Sequence, residues 1–261
     1  MSEQDVAQRI DTTKPHSARF WNYFVGGKDN YEADRAVGDE IKEIFPGLVD
    51  VAVASRHFLS RAVTCLAAEH GVRQFLDIGT GLPTADNTHQ VAQRVAPDAR
   101  IVYVDNDPLV LVHARTLLHS TPEGATDYLD ADLYAPDAVL AAAAGTLDLT
   151  QPVALVLLNV LGHVADPAEA RSLVGRLMAG LPSGSYLVIG DSTATSEGMI
   201  AASAAYNASG AVPYYVRPVE DIAAFFEGLD VLEPGIVPIT RWRPESDGDA
   251  VDAYGGVGRK P

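Results

Sequence analysis

From about residue 74 onward, short apolar runs alternate with segments of helical periodicity. The apolar runs predict five strands, which are QFLDI, RIVYVD, ATDYL, PVALVLLNV and SYLVIGD. The segments between them predict four helices, over roughly 84–95, 108–119, 135–144 and 167–180. Strands that alternate with helices form βαβ units and a parallel sheet. Since ALVLL and YLVI are apolar throughout, we expect helices to cover both faces of that sheet.

The pattern changes in the last part of the chain. Helices are predicted near 194–208 and within PVEDIAAFFEGL, where apolar residues recur at helical spacing. The runs DVLEPGIVPI and YGGVGRK then read as strands with no helix between them. Two strands connected in this way pair antiparallel, so we expect an antiparallel pair at the edge of the sheet.

Residues 1–73 precede the first strand and have helical patterning. Aromatic residues cluster in the run RFWNYF, which is followed by a break at Gly26 and Gly27. A longer helix over roughly 51–70 then leads into the first strand. We interpret residues 1–73 as a helical N-terminal cap and residues 74–261 as the domain that contains the sheet.

The stretch FLDIGTG ends the first predicted strand, with Asp77 inside the strand and a turn at Gly79, Thr80 and Gly81. Glycine presents no side chain, so the backbone of such a turn approaches a ligand closely. A dinucleotide fingerprint needs a third Gly or Ala, and this position holds Thr84. The spacing Asp-x-Gly-x-Gly instead favours a turn in which Asp77 orients the loop or meets an ammonium group.

Further acidic residues follow the next two strands. Asp105 ends the run VYVD, one βα unit after the glycines, where a carboxylate suits the two hydroxyls of an unphosphorylated ribose. Asp132 and Leu133, in LDADLY, are placed to meet an adenine, one through its amino group and one by packing. Asp107 precedes Pro108, which is typical of a helix start, so we interpret it as a cap.

Taken in order, FLDIGTG, VYVDND, DADL, ALVLLNVLGHV and LPSGSYLVIGD resemble the successive motifs of class I S-adenosylmethionine-dependent methyltransferases. The resemblance covers about residues 70–260. The stretches KPHSARFWNYFVGGKDNY and RQFLDIGTGLPT are similar to a bacterial family of uncharacterised methyltransferases of this class. This resemblance implies an α/β, Rossmann-like fold: a seven-stranded, mostly parallel sheet with an antiparallel edge strand and a helical N-terminal cap. It also implies S-adenosyl-L-methionine as the cofactor.

The resemblance further implies roles for individual residues. The turn at Gly79, Thr80 and Gly81 would border the methionine end of the cofactor, and Asp77 would support its ammonium group. Asp105 would hold the ribose. The remaining implied contacts are Asn106, Asp132 and Leu133 at or near the adenine, and Asn159 beside the methionine moiety and the substrate.

Methyl transfer from a sulfonium needs an in-line nucleophile, so positioning and the exclusion of water supply most of the effect. If the acceptor is a hydroxyl, a general base helps, and His163, just past the fourth strand, is the catalytic candidate. Some small-molecule O-methyltransferases have a histidine in this region, although direct alignment places Gly162 at that position. The alternative is a histidine at a helix start that bonds to the backbone.

Five residues near the N-terminus are candidates for contacts to the substrate or the cofactor: Trp21, Tyr23, Lys28, Asn30 and Arg56. Ligands of open α/β sheets bind beyond the carboxyl ends of the strands, where a preceding helix can fold over them and exclude water. The two aromatic faces suit an apolar wall and contact with the positive sulfur. In the alternative interpretation the aromatic residues pack on the sheet, while Lys28 and Asn30 face solvent.

Composition limits the class of substrate and partner. The net charge is −16, and no run of Lys and Arg is long enough to favour binding to a phosphate backbone, so a nucleic-acid substrate is disfavoured. LNVLGHV also lacks the Asn/Asp-Pro-Pro-aromatic run expected for methylation of bases or glutamine. We therefore predict a small-molecule acceptor, methylated on oxygen or nitrogen. The seven histidines are scattered along the chain, so no metal is expected.

The sequence also predicts a cytoplasmic protein with no membrane partner. Its N-terminus lacks an apolar signal core, and its one cysteine excludes an internal disulfide. No apolar run reaches the roughly 18–20 residues that a membrane span requires. No feature indicates an oligomeric state.

Two other functions are compatible with parts of the pattern. One is an NAD-dependent oxidoreductase on a similar sheet, against which the missing third glycine and the antiparallel tail both count. The other is a non-catalytic protein that keeps the cofactor site for regulation or for binding a partner.

Overall fold

The computed structural model describes residues 10–84, 86–117, 119–246 and 248–261. These residues form one mixed eight-stranded sheet with helices on both faces. The strands are β1 (Gln74–Ile78), β2 (Arg100–Asp105), β3 (Ala125–Asp130), β4 (Ala154–Leu158), β5 (Tyr186–Ser192), β6 (Asp230–Val231), β7 (Val237–Pro238) and β8 (Ala253–Arg259). The α-helices are α1 (Ser17–Phe24), α2 (Glu32–Ile44), α3 (Leu48–Ala68), α4 (Thr88–Val95), α5 (Pro108–Leu117), α6 (Pro136–Ala143), α7 (Pro167–Ala179), α8 (Glu197–Ala208) and α9 (Val219–Ala224).

The strand order is β3-β2-β1-β4-β5-β8-β6, and β7 also pairs with β8. The first five strands of this order are parallel, whereas β8 runs antiparallel to β5, β6 and β7. The predicted Rossmann-like, mostly parallel sheet with an antiparallel edge is therefore confirmed. There are eight strands where seven were expected, because the run DVLEPGIVPI divides at a turn into β6 and β7, of two residues each.

The apolar strands pack on two separate hydrophobic clusters, one on each face of the sheet. In β1, Phe75 belongs to the cluster that includes α3, while Leu76 and Ile78 belong to the cluster that includes α6 and α7. The side chains of β2 alternate between the same two clusters. Both faces are thus covered, as the continuous apolar runs predict.

Two helices begin later than the periodicity predicts, because a polar side chain caps each one. The helix expected over 84–95 begins at Thr88, after a capping box in which the Asn87 amide donates to Gln90 Oε1 at 2.9 Å. The helix expected near 194–208 begins at Glu197, where Ser196 Oγ accepts from the Met199 amide at 3.1 Å.

The N-terminal helices differ in what they cover. The longest of them, α3, packs on the sheet and shares a hydrophobic cluster with β1, β2, β4 and β5. Helix α1 packs on α2 and α3, and it ends before Gly26, whose φ of +77° favours glycine. In the described part of the chain, no helix combines the length and the apolar character needed to cross a membrane.

Candidate functional site

A cavity lies at the carboxyl ends of β1, β2 and β4, with α1 and α3 on its other sides. We call it the central cavity. Many of the residues singled out from the sequence line it: Trp21, Arg56, Asp77, Gly79, Thr80, Gly81, Asp105, Asn106, Asn159 and His163. The remaining lining residues are His16, Ser17, Ala18, Asn22, Val25, Ala52, Ser55, Leu59, Leu82, Thr84, Leu158 and Val160. The position agrees with the general location of ligands in open α/β sheets.

The glycine turn after β1 requires its glycines for two different reasons. Gly79 has φ +74°, and a Cβ built on it would lie 2.5 Å from Val160 Cγ2. Gly81 has φ +65°, and a Cβ there would meet no atom within 4 Å. Both glycines therefore hold left-handed conformations, and Gly79 also allows close packing against the loop after β4, whereas Gly81 borders open space.

The side chain of Asp105, at the end of β2, holds this turn in place by hydrogen bonding. Its Oδ2 accepts from the Gly81 amide at 2.9 Å, and its Oδ1 accepts from the Asp107 amide at 2.9 Å. Burial raises the pKa of Asp105, and the two amides oppose that shift. Each carboxylate oxygen can accept a second hydrogen bond, so Asp105 can hold the turn and also bind a hydroxyl-bearing ligand.

Asp77 is a second buried carboxylate of the same cavity. Burial raises its pKa to about 6, while the hydroxyl of Thr88 and the charge of Arg56 lower it. Thr88 Oγ1 donates to Asp77 Oδ2 at 2.5 Å. Asp105 adds a second negative charge nearby, which disfavours ionisation of Asp77. A cation bound in this cavity would therefore be stabilised by two buried carboxylates, and it would in turn favour their charged forms.

Asn159 follows β4 with φ +50°, an uncommon conformation for a residue other than glycine. Its amide donates to the Gly190 carbonyl at 2.9 Å, and its side-chain Nδ2 donates to Ser55 Oγ at 3.0 Å. Its Oδ1 is buried and accepts no hydrogen bond from the described residues. Because a buried acceptor without a donor is costly, this oxygen is available to an N–H group of a ligand.

His163 lies in a short 3-10 turn, Leu161–His163, after β4. Its Nδ1 is 2.8 Å from the Pro213 carbonyl, which can only accept, so Nδ1 carries the hydrogen. Its Nε2 is then the acceptor for the Ser17 hydroxyl at 2.9 Å. Burial lowers the pKa of His163, which keeps the ring neutral near pH 7. The sequence allowed two interpretations of His163, a general base and a histidine that bonds to the backbone. Each describes part of this geometry, since the ring bonds to the Pro213 carbonyl and also presents a basic nitrogen.

A buried polar network behind His163 was not predicted from the sequence. Gly162 donates to Asp191 Oδ2 at 3.1 Å, the Tyr214 hydroxyl donates to Asp191 Oδ1, and Arg217 donates to the carbonyls of Leu161 and Val164. Burial raises the pKa of Asp191 to about 7, against the effect of Arg217. The network fixes the turn that carries His163. The sequence feature that could have indicated this network is Asp191, the acidic residue that ends SYLVIGD.

Five of the singled-out residues do not line the central cavity. The Tyr23 hydroxyl donates to Asp39 at 2.5 Å, Asn30 donates to Asn22 and Gly27, and Lys28 is exposed. Asp132 is exposed beside the cavity, 3.4 Å from Asn106 Nδ2, and Leu133 is buried in the cluster that includes α6 and α7. Their roles in binding stay predictions.

The segment before β1 does reach the cavity, as the cap interpretation requires. Ser17, Trp21 and other residues of α1 form one wall of it. Two contacts fix α1 there: His16 Nδ1 lies 2.9 Å from Asp107 Oδ2, and Arg19 Nε lies 3.5 Å from the buried Asp34. The wall is therefore tied both to the loop after β2 and to α2.

One possible metal cluster occurs in the described residues, although the scattered histidines predicted none. Cys65, Glu69 and His70 each bring a potential ligand atom within 4.8 Å of the others at the end of α3. Arg243 already donates to Cys65 Sγ at 3.0 Å and to Glu69 Oε2 at 2.8 Å. A positively charged side chain thus lies where a metal cation would bind, and the cluster is separate from the central cavity.

Comparison with known proteins adds to this geometry. A model of the S-adenosyl methyltransferase family matches residues 3–261. The structure of a DUF574 family protein from Streptomyces avermitilis has a TM-score of 0.93 and 45% identity, covering 97% of this chain and 100% of that one. A candidate methyltransferase from Thermobifida fusca has a TM-score of 0.89 and 37% identity, covering 96% of both chains.

A more distant relative matches part of the chain. Carboxy-S-adenosyl-L-methionine synthase of Trichlorobacter lovleyi is 26% identical over 162 residues. This match spans 61% of the chain and 62% of the relative, which is less than two thirds of its length.

Proposed function

Because this chain belongs to the S-adenosyl methyltransferase family and uses S-adenosyl-L-methionine, we propose that it methylates a small molecule on oxygen or nitrogen. The observation that carries the proposal is the central cavity, a partly open cleft whose walls include α1 as well as Asp77 and Asp105. A cleft narrowed in this way admits a small acceptor more readily than a nucleic acid or a folded protein. The charge of −16 also disfavours nucleic acid.

The residues of the cavity fit the cofactor. The cofactor carries an ammonium group, a sulfonium cation and two ribose hydroxyls, and it supplies an electrophilic methyl group. In our proposal Asp77 and the orphan oxygen Asn159 Oδ1 hold the ammonium group, and Asp105 holds the ribose. Gly81 leaves open space beside them. Arg56 binds the carboxylate, while Asn106, Asp132 and Leu133 hold the adenine.

For the transfer itself, the protein positions the acceptor and removes its proton. An acceptor hydroxyl placed near Ser17 lies next to His163 Nε2, the basic nitrogen of a neutral ring. The cofactor would supply the methyl group, and Nε2 would take the proton of the acceptor hydroxyl once the Ser17 hydroxyl turns away from it. The Pro213 carbonyl then stabilises the resulting imidazolium through Nδ1–H. Helix α1 excludes water from the reacting atoms.

Cofactor and acceptor are tested separately. Isothermal titration of the purified protein with S-adenosylhomocysteine should show binding, while NAD, a matched nucleotide ligand, should not bind. Release of S-adenosylhomocysteine from S-adenosylmethionine should then depend on adding a small molecule from a panel of phenols, alcohols and amines. Turnover that requires RNA, DNA or a protein, and that no small molecule supports, would contradict the proposal.

We expect the affinity for S-adenosylhomocysteine to depend on the ionisation of Asp77. With a pKa of about 6 the carboxyl group is charged at pH 7 and protonated at pH 5, and only the charged form pairs with an ammonium group. The affinity should fall about tenfold from pH 7 to pH 5. Titration calorimetry over this range measures it.

The matched control for this pH dependence is Asp77→Asn, which keeps the size of the side chain and removes its titration. That variant should bind more weakly than the wild type at pH 7, with an affinity that is nearly flat with pH. An unchanged tenfold fall in Asp77→Asn would assign the dependence to another group.

A further inference from the structure

The segment between α8 and α9 contacts the imidazole of His163 on two sides. Nδ1 of His163 donates to the Pro213 carbonyl at 2.8 Å, and the ring of Tyr214 lies edge-on to the imidazole, with the ring centroids 5.1 Å apart. The contact at the other ring nitrogen comes from Ser17, on α1. The placement of Pro213 and Tyr214 therefore determines how Nδ1 is held.

Regular secondary structure does not fix the backbone of this segment. Residues 212–216 belong to no helix or strand, and the side chain of Tyr215 is 42% exposed. The Tyr215 amide donates to the Gly162 carbonyl at 2.8 Å, which fixes the peptide unit after Tyr214. The peptide unit before Tyr214, which contains the Pro213 carbonyl, needs a separate partner to fix its orientation.

Asn207, on α8, is that partner. Its Oδ1 accepts from the Tyr214 amide at 2.7 Å, and its Nδ2 donates to the Tyr214 carbonyl at 3.1 Å. The unit between Pro213 and Tyr214 is a trans peptide, in which the N–H and the C=O lie in one plane and point in opposite directions. Because Asn207 holds the N–H on one side, the Pro213 carbonyl points to the other side, at His163 Nδ1.

The opposite orientation of this peptide unit would exchange the roles of the two imidazole nitrogens. If the unit were turned over, the Tyr214 N–H would face His163 Nδ1 in place of the Pro213 carbonyl. Nδ1 would then be the acceptor, and the hydrogen of the neutral ring would lie on Nε2. A ring in that tautomer has no lone pair at Nε2 with which to take a proton.

Building on the proposed role of His163 as the base, we propose that Asn207 is a positioning residue for His163. It keeps the Pro213 carbonyl on Nδ1–H, and the lone pair of Nε2 then lies on the side of Ser17 and the central cavity. The same carbonyl stabilises the imidazolium after Nε2 has taken the proton of the acceptor hydroxyl. Asn207 does not belong to the lining of the central cavity, so it acts through the peptide unit that it holds.

The ionisation of His163 depends on the same contact. Burial lowers the pKa of His163, and the hydrogen bond to the Pro213 carbonyl opposes that shift. Because the carbonyl stabilises the charged ring, loss of this bond should lower the pKa of His163 further. Substitution of Asn207 therefore has two measurable consequences, a changed tautomer and a titration that moves to lower pH.

The test is NMR spectroscopy of protein labelled with 15N-histidine, which distinguishes a ring nitrogen that carries hydrogen from one that does not. The spectrum of His163→Gln identifies the His163 signals. At pH 8 the wild type should carry the hydrogen on Nδ1, whereas Asn207→Ala should show a fraction with the hydrogen on Nε2 and a lower titration midpoint. Alanine favours the helix, so this variant should fold, and its affinity for S-adenosylhomocysteine should equal that of the wild type.

Ser203→Ala is the matched control on the same helix. Ser203 Oγ donates at 2.7 Å to the Tyr214 carbonyl, which belongs to the next peptide unit and keeps Asn207 Nδ2 as a donor. This variant should keep the wild-type tautomer and titration of His163. An unchanged tautomer and titration in Asn207→Ala would overturn the proposal. An equal change in both variants would also overturn it, because the segment would then be held as a whole.

Turnover separates this proposal from the proposed function. With a hydroxyl acceptor, Asn207→Ala should lower kcat in proportion to the fraction of the Nε2–H tautomer and leave the KM for S-adenosylmethionine unchanged. If the tautomer changes as expected but kcat for the hydroxyl acceptor does not, His163 is not the base, and Asn207 positions it for no catalytic purpose. If the wild type methylates no small molecule while the tautomer still depends on Asn207, the proposed function fails and the structural assignment of Asn207 holds.

Discussion

Replacing Gly79 with alanine is expected to destabilise the protein by about 2–5 kcal/mol, through left-handed strain of about 1–2 and overpacking of about 1–3 kcal/mol. The strain follows from the φ of +74°, and the overpacking from Val160, whose Cβ and Cγ2 would lie 2.6 and 2.5 Å from the new Cβ. Urea unfolding followed by circular dichroism measures the change.

The two contributions separate in a double-mutant cycle with Val160→Gly. Removing both the Cβ and the Cγ atoms of Val160 should relieve the overpacking in Gly79→Ala while the backbone strain remains. Gly175→Ala is the matched control, since this helical glycine has no atom within 4 Å of a built Cβ and no positive φ. That control should stabilise by about 0.5–1 kcal/mol. A Gly79→Ala protein as stable as wild type would show that the turn differs from the one described.

Replacing Asp105 with alanine is expected to weaken binding of S-adenosylhomocysteine by about 10- to 150-fold, which corresponds to losing charge-assisted hydrogen bonds worth about 1.5–3 kcal/mol. The variant removes the proposed acceptor for the ribose hydroxyls. It also leaves the Gly81 and Asp107 amides without their carboxylate. Titration calorimetry measures the affinity, and urea unfolding establishes what fraction of the variant is folded.

Asp127→Ala is the matched control for the change in net charge. Asp127 is an exposed carboxylate on the neighbouring strand β3, where its Oδ2 accepts from Thr146. This control should bind S-adenosylhomocysteine as the wild type does. If folded Asp105→Ala keeps wild-type affinity, Asp105 does not contact the ligand.

The parts of the site that were predictable lie close together in the sequence. Asp77, Gly79 and Gly81 belong to one strand end and its turn, and Asp105 ends the next strand. Parallel strands with similar register bring their carboxyl ends to one edge of the sheet, so the position of each residue in its own strand was enough to predict that they converge.

The other parts of the site depend on which face of a helix a residue occupies and on elements that are distant in the sequence. Trp21 and Tyr23 are two residues apart on α1, which turns about 100° per residue, so only the first lines the cavity. The turn that carries His163 is held by side chains from β5 and from the segment after α8. Nothing in the local pattern of ALVLLNVLGHV indicates those partners, because the folded chain brings them there from 29 and 56 residues away.

The position of β8 affects how the chain reaches this fold. β8 lies between β5 and β6, and it pairs along all of β5, from Ser192 with Ala253 to Tyr186 with Arg259, so the partners are more than sixty residues apart in the chain. Until β8 arrives, the apolar strand β5 has an unpaired edge, and such edges promote intermolecular pairing. Pairing between distant segments also slows folding. The rate at which β8 docks therefore determines how long the folding chain is open to aggregation.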